Sequence, residues 1–218
     1  MADLSLVIGN KNYSSWSLRP WVFMRQTGID FHERRLALFT DEAAHELAKY
    51  DSDGKVPILL DGDLEVWDTL AILEYLSEQY LSGRGWPQDR SARATARSIS
   101  AEMHSSFPAV RGEMPMNCRK SFDITLSEKA AHEVERVKTL WRQCRKRFGG
   151  DGEWLFGNYS IADAMFAPVA LRFHGYGVPL SGVEADYVQS VLSQSCIQEW
   201  IEAGKQESEV IAADEVSH

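Results

Sequence analysis

The chain is poor in cysteine. Its three cysteines, Cys118, Cys144 and Cys196, are widely spaced, form no Cys-x-x-Cys pair and do not group with the six histidines at metal-ligand spacing. An odd, scattered set of this kind argues against a disulfide framework and against a zinc site, so no metal is expected. Long apolar runs are missing too: none approaches the roughly 20 residues that a membrane-spanning helix needs. Asp3 stands where a secretory signal would carry positive charge, so a cytoplasmic protein without membrane attachment is expected. Basic charge is in deficit, with 23 Lys and Arg against 32 Asp and Glu and a formal net charge of −9. This balance argues against a nucleic acid or an anionic membrane as partner, and any anionic ligand must be held by local groups. What the chain does have is apolar material, 44% of 218 residues, enough to bury a sizeable core.

The deficit of positive charge is uneven. Residues 1–80 hold 7 basic and 14 acidic residues, and residues 81–218 hold 16 and 18. Between periodic segments, residues 81–90 carry two glycines and Pro87 and read as a linker, which predicts domains at 1–80 and 91–218. In the first, short apolar runs alternate with helical spacing. Leu4–Gly9 predicts a strand, and Ser17–Thr27 a helix closed by Gly28. Phe31–Leu38 predicts a second strand and Asp41–Lys49 a short helix. Val56–Leu60 and Leu64–Trp67, joined by Asp61-Gly62, predict a hairpin, and Thr69–Tyr80 a helix. The order is β-α-β-α-β-β-α.

The second half is helical throughout. One helix is expected from Ala92 to about Val110. A second is expected over Leu126–Phe148, where Ala130, Val134, Val137, Trp141, Cys144 and Phe148 recur at helical spacing, with Thr125 and Glu128 as a capping box and Gly149 as the stop. Asp186–Ser193 and Ile197–Glu207 are shorter candidates, and the polar, acidic residues from Glu207 onward are expected to fray. Ser160-Ile-Ala-Asp163 is another Ser-x-x-acid capping pattern. It opens a run through Leu171 that is apolar all round, which predicts a helix at the centre of its domain, bent by Pro168. As a simple cap, Asp163 contributes about 0.5–2 kcal/mol.

The element order, Lys55-Val56-Pro57, Asp68-Thr69 and a helical second half with Ser160-Ile-Ala-Asp163 together resemble a cytosolic glutathione transferase over nearly the whole chain. Within that family, Asn12-Tyr-Ser-Ser-Trp-Ser-Leu-Arg-Pro20 is similar to the SSCSxR signature of the zeta class, the maleylacetoacetate isomerases, with Trp16 in place of the cysteine. The resemblance implies a thioredoxin-like β-α-β-α-β-β-α domain followed by an all-helical C-terminal domain, that is, α/β plus all-α. It also implies a homodimer, and an enzyme that takes glutathione as cosubstrate and joins its thiolate to a hydrophobic or conjugated electrophile. A zeta-like cis-trans isomerase and a non-catalytic glutathione-binding relative are the alternatives.

Residue by residue, the serines Ser14 and Ser15 occupy the loop where redox relatives carry cysteine, at a helix start that favours an anion. Without a cysteine there, mixed-disulfide chemistry is disfavoured. A serine hydroxyl can donate to a bound thiolate, or it can simply cap the helix, and the sequence does not choose between Ser14 and Ser15. The resemblance implies a cis bond at Val56-Pro57, with the Val56 backbone pairing with the cysteinyl unit, although a trans proline at a strand entry fits the residues equally. It assigns Thr69 and the helix start to the γ-glutamyl carboxylate and Asp68 to the α-ammonium, while Asp68 also reads as an N-cap. Lys55 is within the stretch that would meet the glycyl carboxylate. Trp16 is assigned to glutathione binding, and with Met103, Phe107, Met114 and Met116 it is a candidate for the electrophile pocket, although a Met and aromatic cluster at helical spacing is more often core. His104 and Arg111, nearby, could aid an acidic substrate.

Overall fold

The computed structural model describes residues 4–216. Four strands, β1 (Leu4–Ile8), β2 (His32–Arg35), β3 (Ile58–Asp61) and β4 (Leu64–Trp67), form one sheet in the order β2-β1-β3-β4. β1 pairs parallel with β2 and antiparallel with β3. The parallel pair needs a crossover, which α1 (Ser15–Thr27) supplies. The β3–β4 hairpin turns at Gly62, whose φ of +59° is a conformation glycine takes without a side-chain clash. With α2 (Asp41–Leu47) and α3 (Thr69–Leu81), the expected β-α-β-α-β-β-α order is present. β2 is shorter than the predicted Phe31–Leu38. It is an outer strand, and its residues His-Glu-Arg-Arg are all exposed.

Alternation along β1 divides the apolar residues between two faces. Leu4, Leu6 and Ile8 join Leu18 and Val22 of α1 and Ile72 and Leu76 of α3 in the main core. Val7 faces the other way and packs with Ile58 and with Leu47 of α2.

The remainder is helical: α4 (Arg90–Ser105), α5 (Pro108–Glu113), α6 (Glu128–Phe148), α7 (Ile161–Gly175), α8 (Val183–Ser193) and α9 (Ser195–Gln206). The single helix expected over Ala92–Val110 is broken. Pro108 has no N–H to continue α4 and starts α5 instead, and Phe107 before it has φ +65°. The capping box expected from Thr125 and Glu128 does not form either. Ser127 is the N-cap of α6 and accepts from the Ala130 N–H at 3.1 Å. Two residues separate the true and predicted caps, because a hydroxyl lies at both positions.

α7 is buried along Ile161–Phe173 and ties the two halves together. The Nε of Arg19 in α1, itself fully buried, donates to the Met165 carbonyl at 2.9 Å. Trp21 of α1 packs edge-on against Trp200 of α9, with ring centroids 5.1 Å apart. One continuous core therefore spans both halves. The predicted Ser160–Asp163 box is present. One Asp163 oxygen accepts from the Ser160 N–H at 2.9 Å and the Ser160 hydroxyl at 3.0 Å. The other accepts from the Leu155 N–H at 3.1 Å and the Tyr187 hydroxyl at 3.3 Å.

The tail after α9 is tied down where fraying is expected. Glu207 accepts from the backbone N–H groups of Lys11 and Asn12 at 2.7 and 3.1 Å. Arg119 donates to the carbonyls of Glu207 and Glu209, and Tyr13 donates to Glu215 at 2.6 Å. Acidic residues placed opposite backbone donors and an arginine order a segment whose composition alone suggests solvent. Among the described residues, no helix is long and apolar enough to cross a membrane, and no group of three or more His, Cys, Asp or Glu could hold a metal ion.

Candidate active site

The loop between β1 and α1 sits at the meeting point of the two halves. Asn12 Oδ1 accepts from the N–H groups of Cys118 and Arg119, which anchors the loop to the segment after α5. Two adjoining cavities open beside it, of about 520 and 770 Å³. Ser14 and Ser15 line the first, Pro57, Asp68 and Thr69 line the second, and Trp16, Lys55 and Val56 border both.

The two serines have different surroundings. Ser14 is the N-cap of α1: its Oγ accepts from the Ser17 N–H and donates to Ser17 Oγ at 2.8 Å. Its proton is thereby committed within the turn. Ser15 Oγ accepts from Nη2 of Arg172 at 3.2 Å, and among the described residues its own proton has no acceptor. Tyr13, a third hydroxyl on the loop, donates to Glu215, and burial raises its pKa.

Thr69 is explained by a proline. Pro20 inside α1 has no N–H, so the Trp16 carbonyl four residues earlier lacks its helical partner. The Thr69 hydroxyl fills the gap, donating to the Trp16 carbonyl at 3.0 Å and fastening the start of α3 to the first turn of α1. Its hydroxyl proton is therefore used within the protein. Asp68, with φ +72°, caps α3 through one oxygen, accepting from Leu70 and Ala71 N–H groups. Its other oxygen faces His104 Nε2 of α4 at 3.2 Å. Lys55 is largely exposed and pairs with Asp53 at 2.9 Å. The Val56-Pro57 peptide is cis.

Of the residues considered for an electrophile pocket, Trp16 and Met116 line the first cavity, whereas Met103, Phe107 and Met114 are buried in the main core and line neither. Arg111 does line it. Its guanidinium lies 4.7 Å from the Trp16 ring, and Arg19 lies at the same distance. Sequence reasoning missed Arg172 and Asp214, which also line this cavity. Arg172 stands in an otherwise apolar stretch of α7, and a lone charge in a buried helix was the available signal.

Residues 13–79 match the family model described as "Glutathione S-transferase, N-terminal domain". The chain is 26% identical over 172 residues to glutathione S-transferase 1 of Dianthus caryophyllus, covering 77% of each chain. It is 39% identical over 66 residues to a dichloromethane dehalogenase of Methylophilus leisingeri, a match confined to 29% of this chain and 25% of that protein. Among solved structures, a glutathione transferase homologue from Burkholderia with bound glutathione superimposes with a TM-score of 0.69 at 22% identity, covering 94% of this chain and all of the other. A theta-class glutathione S-transferase from Xanthomonas axonopodis pv. citri, also with glutathione bound, gives 0.65 at 17% identity, covering 92% and 98%. These structures share the fold.

Proposed function

We infer that this chain, a member of the glutathione S-transferase family, is an enzyme that binds reduced glutathione across the two cavities, ionises its thiol at Ser15 and transfers the sulfur to an electrophilic carbon. The N-terminal 80 residues bind glutathione and the helices from residue 91 onward complete the electrophile site. The observation that carries this reading is the uncommitted Ser15 proton at the start of α1, set against a Ser14 proton already used by Ser17.

The chemistry follows from the pKa of a thiol. A free thiol titrates near 8.5 and is only a few per cent ionised at neutral pH. A hydroxyl donated by Ser15 and the partial positive charge of the helix start both favour the thiolate, and lowering the pKa to about 6.5 makes it the majority form. The thiol proton leaves to solvent. The sulfur lone pair forms the C–S bond, and the leaving group departs with its bonding electrons.

The rest of glutathione is held by groups that border the second cavity. Asp68 offers the α-ammonium the half-exposed carboxylate oxygen that otherwise faces His104. The backbone at the start of α3 receives the γ-glutamyl carboxylate, since the Thr69 hydroxyl is already bonded to Trp16. The Val56 backbone pairs with the cysteinyl unit, and Lys55 can exchange Asp53 for the glycyl carboxylate. A homodimer is part of this reading, and light scattering that returned a monomer mass near 24.6 kDa at micromolar concentration would contradict it.

The test of the reading is a pair of variants assayed with glutathione and an aryl halide. Ser15→Ala is expected to lower kcat at neutral pH about ten- to hundred-fold, the worth of one charge-assisted hydrogen bond, with a deficit that shrinks as pH rises. Full activity of Ser15→Ala at neutral pH would overturn the assignment.

A further inference from the structure

A feature of the first cavity is not needed to bind glutathione or ionise its thiol. Three guanidiniums, those of Arg19, Arg111 and Arg172, gather around Trp16 and Ser15, and among the described residues none of them forms an ion pair. Their partners are neutral. Arg19 donates to the carbonyls of Met165 and Ser15. Arg111 donates to the carbonyls of Ser106 and Met103, and Arg172 to the Met114 carbonyl at 2.7 Å and to Ser15. Burial lowers the pKa of all three, that of Arg172 to about 10. In a protein with a formal net charge of −9, Arg111 and Arg172 line this cavity without an ion pair among the described residues, and Arg19 lies buried beside Trp16 with Asp68 acting on it only from a distance.

Arg19 Nη2 and Arg172 Nη1 are both unmatched among the described residues, but of the two only Arg172 lines the cavity. Arg172 is 5% exposed, and among the described residues its Nη1 has no hydrogen-bond partner. A buried guanidinium normally has its fork filled by a carboxylate or by carbonyls, because stripping water from an unmatched N–H costs free energy. Arg172 lines the first cavity, and its unmatched Nη1 shares the guanidinium carbon with the Nη2 that donates to Ser15. The lining contains one carboxyl, Asp214, which lies beyond ion-pair distance of Arg172. Glu133 acts on Arg111 only from a distance, its carboxylate being engaged by the Val110 N–H.

We propose that the first cavity is built for an electrophile bearing a carboxylate, which the Arg172 guanidinium receives with Arg111 on the lining of the same cavity, so that the reacting carbon lies next to Ser15. This rests on the reading of the site as a glutathione-dependent transferase and narrows its substrate from electrophiles in general to anionic ones. A planar carboxylate suits the guanidinium fork, whereas a neutral electrophile leaves Nη1 unmatched.

The experiment uses the full chain with 4-chloro-3-nitrobenzoate and its neutral amide. In each reaction thiolate sulfur replaces chloride, which leaves with the C–Cl electron pair, and each rate is divided by its uncatalysed rate with glutathione. The wild-type enhancement is expected to be at least tenfold greater for the carboxylate, as one to two charge-assisted bonds require. In Arg172→Met that ratio falls toward one, whatever happens to the absolute rates, and in Arg172→Lys it is partly retained. A wild-type ratio near one, or a ratio unchanged in Arg172→Met, overturns the proposal.

A second readout needs neither turnover nor a folded variant. 3-Nitrobenzoate is titrated against wild-type tryptophan fluorescence, since the Trp16 ring lines the first cavity with Arg111 4.7 Å from its centroid. Saturable quenching that persists with glutathione bound supports the carboxylate site. No quenching overturns it, as does displacement of 3-nitrobenzoate by glutathione, which would give the cations to glutathione's own carboxylates. Calorimetry with glutathione separates the two levels: failure of glutathione to bind breaks the functional reading, while the titration still decides the anion site.

Discussion

Helix α7 carries a buried ionisable side chain near each end, and the two are treated in opposite ways. Asp163 in the first turn has both oxygens filled by four donors, so its burial is matched bond for bond. Arg172 in the last turn lines a cavity and, among the described residues, has no partner for its buried Nη1. The same helix thus shows how a buried charge of structural use differs from one placed for a ligand: the first is satisfied within the fold and the second waits for a partner.

The comparison breaks most readily at Asp163. Removing its carboxylate by Asp163→Ala leaves the Leu155 and Ser160 N–H groups and the Tyr187 hydroxyl unmatched in the core. The expected loss is about 2–5 kcal/mol, more than a surface cap contributes. Denaturant unfolding should report it, with glutathione affinity in the remaining folded protein unchanged. A loss under about 1 kcal/mol would show that Asp163 is only a cap.

A smaller effect is the pH dependence of the same site. Burial pushes the Asp163 carboxyl up to about 6, above its ordinary value near 3.9. The folded state then holds an extra proton between those values. Its contribution to stability is complete below about pH 4 and lost as pH rises through about 6. Asp163→Asn cannot titrate, so its stability relative to the parent should climb over that window and level off above it. A difference that stays flat from pH 4 to 7 would mean that the four donors hold the carboxylate ionised.

Ser14 and Asp68 lie between the two extremes. Ser14→Ala removes a cap whose proton is already used, with an expected cost of about 0.5–2 kcal/mol in unfolding and little change in thiol activation. Asp68→Asn keeps the cap and tolerates the left-handed backbone, but loses the charge offered to an ammonium. The expected result is a few-fold rise in KM for glutathione with kcat held, as befits a half-exposed ion pair. An unchanged KM would make Asp68 a cap alone.

What the sequence reveals follows the range of the interaction. The Ser160–Asp163 box, the Gly28 C-cap with φ +73° and the hairpin at Gly62 are legible because their residues lie within a few positions of each other. Ser127 as the true cap of α6 is not, because two hydroxyl residues compete within one turn. Pro108 is a legible breaker that helical periodicity on both sides overrode. The bonds that make the site are between distant residues: Arg172 meets Ser15 across 157 positions, and Thr69 meets Trp16 across 53. No local pattern encodes them. Pro20 is the exception in principle, since a missing N–H predicts an orphan carbonyl at Trp16, though not which side chain fills it.

In the proposed mechanism Ser15, not Ser14, carries the proton offered to the thiol. The most direct measurement is the pKa of enzyme-bound glutathione, followed by the ultraviolet absorbance of the thiolate, in the wild type and in the two single alanine variants. A depressed pKa is expected in the wild type, nearly the same value in Ser14→Ala, and a value raised toward that of free glutathione, near 8.5 or above, in Ser15→Ala. A pKa that rises in Ser14→Ala and stays depressed in Ser15→Ala would contradict it.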